Sequence, residues 1–300
     1  MKTICIDLGG TRAKAGIIEN GEIALYSVIP SHSQIPFEEV ILNLEELIND
    51  LMEQSGSPDL SGIGIAIPGV VNVHTNRLQS VNQKFCGAVG FDFTGWSQER
   101  WGLPLVLEND ARAALYGEWQ FGSGRSYKNI CLMTFGTGIG SACVLDEKML
   151  YGGNNQAGIL GGHFTVDYNG DLCNCGNRGC VEALASSWKL KELAATDQSE
   201  PDFKILFELY RQGNPKARPL AEKYMGIWSA GIVNMIHAYD PELFILHGGI
   251  MNSADIILPN IQEYIDKYAW ISWGDIKIAT SSSVDKIALL GMHHKLSLNQ

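Results

Sequence analysis

The sequence predicts an α/β protein of two domains, on three observations. Apolar strand runs alternate with amphipathic helical stretches along the whole chain. A strand, glycine turn, strand unit occurs twice, so that Asp7-Leu8-Gly9-Gly10-Thr11 aligns with Thr134-Phe135-Gly136-Thr137-Gly138. A length of 300 residues exceeds one ordinary core and suits two.

The elements follow from local pattern. Residues 3–8 (TICIDL) form an apolar strand that ends on Gly9-Gly10-Thr11, and residues 13–18 return to an Asn20-Gly21 hairpin turn. Phe37, Val40, Ile41, Leu44, Leu47, Ile48 and Leu51 lay one apolar stripe along a helix. Strand GIGIAI at 62–67 stops at Pro68-Gly69, and PLVLEN at 104–109 leads into a helix near Asp110, which Asp110 can cap. The second unit runs from Ile130–Phe135 through Gly136-Thr137-Gly138-Ile139-Gly140 into Ser141–Leu145. Leu220, Tyr224, Ile227, Trp228, Ile232 and Met235 give another helical stripe, LFILHGG at 243–249 is a strand ending on Gly248 and Gly249, and a last helix begins near Asp285. No Pro-rich or Gly/Ser-rich linker intervenes, so the expected division is compact and hinged. It places residues 1–110 in the first domain and 111–284 in the second, with the helix at 285–300 packing back on the first.

Composition narrows the class. Apolar residues at 45% and charged residues at 18% describe a globular chain with ample core material. The net charge of -11 comes without a basic stripe, which argues against nucleic acid as a partner. No apolar run approaches the roughly 18 residues of a membrane span, no signal peptide opens the chain, and an odd cysteine count fits a reducing compartment, so a cytoplasmic location is expected.

One segment points to a metal. His163, Cys173, Cys175 and Cys180 stand in an H-x9-C-x-C-x4-C spacing, framed by Gly170, Gly176 and Gly179. Four soft ligands complete a zinc tetrahedron and leave no position for substrate, which makes the metal structural rather than catalytic. The alternative is a set of incidental buried cysteines.

Taken together, Asp-Leu-Gly-Gly-Thr at 7–11, Glu-Asn-Asp-Ala at 108–111, Gly-Thr-Gly-Ile-Gly at 136–140 and the cysteine segment through Glu182 resemble the ROK family of sugar kinases and repressors. The resemblance implies the fold of the actin, Hsp70 and hexokinase group: two α/β domains with sugar in a cleft and ATP beside it. It further implies a homodimer or homotetramer.

In that light Gly9, Gly10 and Thr11 let backbone amides approach a phosphate, and Asp7 can hold the waters of Mg²⁺. A glycine hairpin without a ligand is the plainer reading of that segment alone. Gly136, Thr137, Gly138 and Gly140 form a second phosphate loop, with Gly248 and Gly249 also assigned to the nucleotide. The G-x-G-x-G spacing enters a strand, unlike a dinucleotide fingerprint, and no G-x-x-x-x-G-K-[ST] occurs. Asp110 is the candidate general base for a sugar hydroxyl, against its alternative as a helix cap. The resemblance implies that Asn109, His163 and Glu182 contact the sugar, with Gly69 and Asn82 lining its pocket, while Glu108 is structural. For Glu182 the residue-level alternative is a solvated carboxylate at a helix start.

One position departs from the family pattern. Where its kinases carry a glutamate that accepts from sugar hydroxyls, this chain has Leu160. A hydroxyl buried without its acceptor costs roughly 1–3 kcal/mol. Either the substrate lacks or has substituted that hydroxyl, or turnover is weak or lost. Three classes are therefore weighed: an ATP-dependent hexose kinase, acting at the 6-hydroxyl; a repressor, for which the six residues before Asp7 leave no room for a helix-turn-helix; and a non-catalytic sugar-binding protein.

Overall fold

The computed structural model describes residues 1–56, 59–82, 84–194, 202–272 and 274–298. Its strands are β1 (Lys2–Leu8), β2 (Arg12–Glu19), β3 (Glu22–Pro30), β4 (Ile63–Ile67), β5 (Val70–Asn72), β6 (Arg77–Ser80), β7 (Leu105–Asn109), β8 (Ile130–Phe135), β9 (Ile139–Leu145), β10 (Lys148–Met149), β11 (Leu243–His247) and β12 (Lys277–Thr280). The helices are α1 (Phe37–Ser55), α2 (Phe93–Trp101), α3 (Asp110–Phe121), α4 (Val181–Ala185), α5 (Ser187–Ala194), α6 (Phe203–Arg211), α7 (Ala217–Tyr239), α8 (Ala254–Tyr268) and α9 (Ile287–Ser297).

Two compact units result. The first comprises Met1–Arg125, Tyr151–Ala157 and Asp285–Gln300; the second comprises Ser126–Leu150 and Gly158–Val284. The first unit holds a five-stranded sheet in the order β3-β2-β1-β4-β7, and the second a sheet in the order β10-β9-β8-β11-β12. Both begin as an antiparallel meander of three strands and continue with two parallel ones. The repeat read from the glycine turns is thus a repeat of whole sheets.

Local chemistry explains the framework of the first unit. Asn20 and Gly21 both take positive φ, 52° and 81°, as a two-residue hairpin turn requires between β2 and β3. Strand β4 is buried throughout, as a parallel strand covered on both faces must be, whereas edge strand β3 alternates half-buried and exposed residues. Helix α1 buries its predicted stripe from Phe37 to Leu51, each large side chain contributing about 1.5–3 kcal/mol, and ends on Gly56 in a left-handed cap.

The division between units falls after α3, not before it as the sequence suggested. Packing against α9 decides this. A β carbon at Gly117 would overlap the carbonyl of Ile287, and one at Gly291 the carbonyl of Ala113, so the two backbones touch where the glycines meet. Around that crossing Cys5, Ile18, Ala66, Val106, Ala113, Leu289, Met292 and Leu296 form one buried cluster. The short segment Tyr151–Ala157 joins the first unit because Arg112 of α3 donates to the carbonyls of Asn155 (3.1 Å) and Ala157 (2.9 Å). The predicted final helix ends at Ser297, and residues 299–300 of its predicted span lie outside the described residues.

Gly117→Ala is expected to destabilise the protein by about 1–3 kcal/mol through overpacking, seen as a lower urea midpoint. Gly226→Ala in α7, where a β carbon meets nothing within 4 Å, serves as the control and is expected to be neutral or mildly stabilising. Equal midpoints for the two variants would show that the α3–α9 contact is not tight.

Candidate active site and metal centre

The turn from β7 into α3 is held from beneath by a buried carboxylate. Glu108, inaccessible to solvent, accepts from the Asn109 amide (2.9 Å), the Tyr151 hydroxyl (2.6 Å) and Lys295 Nζ (2.9 Å). Arg112 Nη1 lies 3.7 Å away, and the guanidinium stacks over the Tyr151 ring at 4.5 Å. Burial, reinforced by the Glu108 charge, pushes the Tyr151 phenol far up, so it remains a donor. The expectation that Glu108 is structural agrees with these contacts.

Above it the two neighbouring residues divide the work. Asn109, not Asp110, is the N-cap: its Oδ1 accepts from the amides of Ala111 (3.1 Å) and Arg112 (3.2 Å). Its Nδ2 donates to the Gly69 carbonyl and to Asp110 Oδ1, both at 3.0 Å. Both donors and both acceptor positions of this amide are thereby used. Asp110 also accepts from the Ala111 amide at 2.8 Å. Burial raises its carboxyl above the ordinary carboxylate range, opposed by that amide and by the positive charge of Lys84. Gly69, at φ 112°, has no room for a β carbon against the Ser80 carbonyl, so its backbone can reach Asn109.

The first glycine loop lies in the same unit. Gly9 spends its amide on the Arg12 carbonyl (3.0 Å), while the amides of Gly10 and Thr11 donate to no acceptor among the described residues. Ser33 Oγ donates to the Gly10 carbonyl at 2.6 Å and pins the loop. Asp7, at the end of β1, lies 3.6 Å from Lys14 Nζ; burial pushes its carboxyl up to about 6 against the Lys14 charge, with Asp110 adding to the rise. Lys84, which the sequence reading did not single out, reaches over this loop: a β carbon at Gly10 would lie 2.8 Å from its Cε and Nζ. No motif marks it. Asn82 is exposed in the loop just ahead of Lys84.

The second unit repeats the device. Gly136 gives its amide to the Gly138 carbonyl (3.0 Å), Ile139 gives its own to Glu182 Oε2 (2.7 Å), and the amides of Thr137 and Gly138 have no acceptor among the described residues. A β carbon at Gly138 would lie 2.5 Å from Glu182 Oε2 and would push that carboxylate away from the Ile139 amide. Glu182, in the first turn of α4, therefore turns its carboxylate onto the loop rather than into solvent, while Gly140 pairs with Thr134 across β8 and β9. Gly248 backs tightly onto the Phe135 carbonyl, and Gly249 faces open space. Beside Thr137 opens a cavity of about 380 Å³ lined by Ser187, Leu190, Lys191, Asp202 and Phe203, large enough to admit a planar base.

His163, Cys173, Cys175 and Cys180 converge, their ligand atoms all within 4.8 Å of one another. His163 Nδ1 lies 3.5 Å from Cys173 Sγ, and Cys175 Sγ lies 3.7 Å from Cys180 Sγ. A zinc tetrahedron with Zn–S bonds of about 2.3 Å has edges near 3.8 Å, so the set fits such an ion, and the sulfurs are too far apart for a disulfide. Burial pushes the Cys173 and Cys180 thiols up, a shift that a bound cation reverses. Gly179, at φ 61°, lies so close to the Asp167 carbonyl that no side chain fits there, and Trp188 packs on Cys173 and Cys180 while its amide donates to the Thr137 carbonyl (3.4 Å).

Matched sheets, each with a glycine loop after its central strand, define the two-domain actin-like ATPase fold shared by sugar kinases. A hexokinase from Thermus thermophilus superposes with a TM-score of 0.82 at 28% identity, over 100% of this chain and 99% of its own. A glucokinase from Streptomyces griseus, in complex with glucose and AMPPNP, gives 0.83 at 26% identity over 98% and 99%. The chain belongs to the ROK family, whose sequence pattern matches residues 3–296. The glucokinase of Thermotoga maritima is 30% identical over 97% of this chain and 96% of its own length, and an N-acetylmannosamine kinase of Haemophilus influenzae is 29% identical over 93% and 90%. The family also includes regulators: the xylose repressor of Bacillus spizizenii is 30% identical over 78% of this chain and 60% of its own. Among the described residues no helix is long and apolar enough to cross a membrane.

Metal analysis of protein purified without chelator is expected to find one tightly held ion per chain. Cys173→Ser should lose most of it and make the segment from 163 to 182 protease-sensitive, because binding supplies its local folding energy. Freely reactive thiols at 173, 175 and 180 in the wild type would overturn the assignment.

Proposed function

We propose that the protein transfers the terminal phosphoryl group of ATP to a hexose or hexose derivative, at the 6-hydroxyl. The observation that carries this reading is the Asp110 carboxylate, half-buried and oriented by Asn109 and Ala111 in the same unit as a glycine loop with two unspent amides. Transfer to a sugar hydroxyl needs positioning, charge neutralisation and a carboxylate to receive the proton. As the hydroxyl oxygen bonds to phosphorus and the bond to the β-phosphate breaks, the hydroxyl proton passes to Asp110 and ADP leaves. Asp7 is suited to hold the waters of Mg²⁺, which neutralises phosphate charge when bound. The cavity beside Thr137 suits the adenine.

His163 presents Nδ1 to the cysteines, which leaves its Nε2 for a sugar hydroxyl, and zinc is the ion its donor set favours. Asn109 can contact the sugar only by exchanging one of its present bonds. The assignments of Gly69 and Asn82 to the pocket rest on the family pattern.

Leu160 favours a second form of this reading, a kinase for a modified sugar. It stands 37% exposed at the start of the turn that leads to His163, where its apolar side chain is open to contact with a substituent on the sugar.

A coupled assay over hexoses, N-acetylhexosamines and β-glucosides tests the proposal, and failure to turn over any of them with ATP would remove it. Asp110→Asn keeps the shape of the residue and should lower turnover about 10²-fold or more at nearly unchanged stability. In the wild type, the acid limb of kcat/KM should lie above the ordinary aspartate value of about 4, since burial raises Asp110 and protonation disables it as pH falls. Near-normal turnover by the variant would leave Asp110 only its bond to the Ala111 amide.

Leu160→Glu separates the two substrate readings. If the natural sugar presents an apolar substituent there, the variant buries an unpaired carboxylate and loses activity on it. If the pocket is an ordinary hexose site, kcat/KM for glucose or N-acetylmannosamine improves. Identical substrate rankings for the two proteins would mean that residue 160 does not read the sugar.

A further inference from the structure

Lys84 is placed with more care than a surface lysine requires. The residue after it, Phe85, is completely buried, meets the Phe37 ring edge-on at 6.2 Å, and takes a left-handed backbone conformation at φ 52°. Such a conformation is strained for a bulky residue and persists only where surroundings enforce it. Here the enforcing contact is Ser33. Its carbonyl accepts the Phe85 amide at 2.8 Å, while its hydroxyl donates to the Gly10 carbonyl at 2.6 Å. One buried serine therefore fixes Lys84 and the first glycine loop in the same register.

The lysine side chain turns onto that loop. Its Cε and Nζ occupy the space that a side chain at Gly10 would need. Its charge reaches the Asp110 carboxyl, and Asp110 and Asp7 in turn act on each other, so ammonium, loop and both carboxylates belong to one cluster. Lys84 makes no ion pair within 4.0 Å among the described residues. A held cation above two unspent amides is a site for an anion bearing several oxygens.

We propose that Lys84 is a catalytic residue: its ammonium reaches across the first glycine loop to the terminal phosphoryl group of the nucleotide and neutralises the charge on its oxygens as it passes to the sugar. This deepens the kinase reading above and rests on it for the reaction, though not for the phosphate contact. Nothing in the local sequence, VNQKFCG, marks the residue; its placement comes from Phe85 and Ser33. Ser33 is the corresponding positioning residue.

The test compares wild type with Lys84→Met and Lys84→Arg in two measurements. In calorimetry with Mg²⁺ and either AMPPNP or ADP, Lys84→Met should bind AMPPNP about tenfold more weakly and ADP within twofold of wild type, since ADP lacks the group that Lys84 holds. Lys84→Arg, which keeps the charge, should recover most of the loss. In the sugar assay Lys84→Met should lower kcat about 10²- to 10³-fold while leaving KM for the sugar within about threefold. Thermal melts identify any variant that fails to fold, and Lys84→Gln, which also removes the charge, then replaces Lys84→Met in both measurements. Equal binding of both nucleotides by wild type and a folded Lys84→Met would overturn the proposal, as would a kcat within twofold of wild type. A wild type that phosphorylates no sugar would remove the kinase reading alone, and the binding ratio would still decide Lys84.

Discussion

Everything at the β7–α3 turn depends on satisfying one buried carboxylate. An ion enclosed like Glu108 costs several kcal/mol unless its partners are in place, and its partners come from Tyr151, Lys295 and the Asn109 backbone. Because the Asn109 amide is committed downward, its side chain is free to cap α3 and steady Asp110. The turn cannot shift without disturbing α9 and the Tyr151–Ala157 segment, which suits a residue whose chemistry depends on a fixed position.

Glycine loops raise a second constraint. The absence of a β carbon lets a backbone approach a phosphate, but it also leaves the loop free to wander. Each loop in this protein is tied by a side chain from outside it: Ser33 on Gly10 in the first unit, Glu182 on Ile139 in the second. Glu182 stands two residues after Cys180, so the second tie begins beside the four candidate metal ligands. An ion held by those ligands would in this way act on the loop at 136–140 without touching it.

What the sequence made legible was local. The glycine turns, the α1 stripe, the cysteine spacing and the Asn109–Asp110 junction each lie within a few residues, and propensity or ligand spacing reads them directly. The matching sheet orders follow from the same glycine turns. The cap passed from Asp110 to Asn109 because helix boundaries are uncertain by a residue or two without backbone geometry. The unit boundary was misplaced since α3 reads as the start of something new, whereas its true partner, α9, lies far along the chain. Glu108 was identified as structural, but its partners were invisible for the same reason, and Lys84 became visible only through a serine and a phenylalanine on different segments. Polar clusters assembled from distant residues carry no period for sequence reasoning to find.

The route of the chain also bears on how the protein is made. Every residue of the second unit precedes Asp285, whereas the first unit needs α9, which is synthesised after all of them. The unit begun first is therefore the one completed last. Until α9 emerges, Cys5, Ile18, Ala66 and Val106 lack their cover, and Glu108 lacks the Lys295 ammonium. Until α9 is made the nascent chain thus carries an apolar face and a half-satisfied ion, the kind of exposed surface that invites aggregation, and a chain cut short before α9 would keep both.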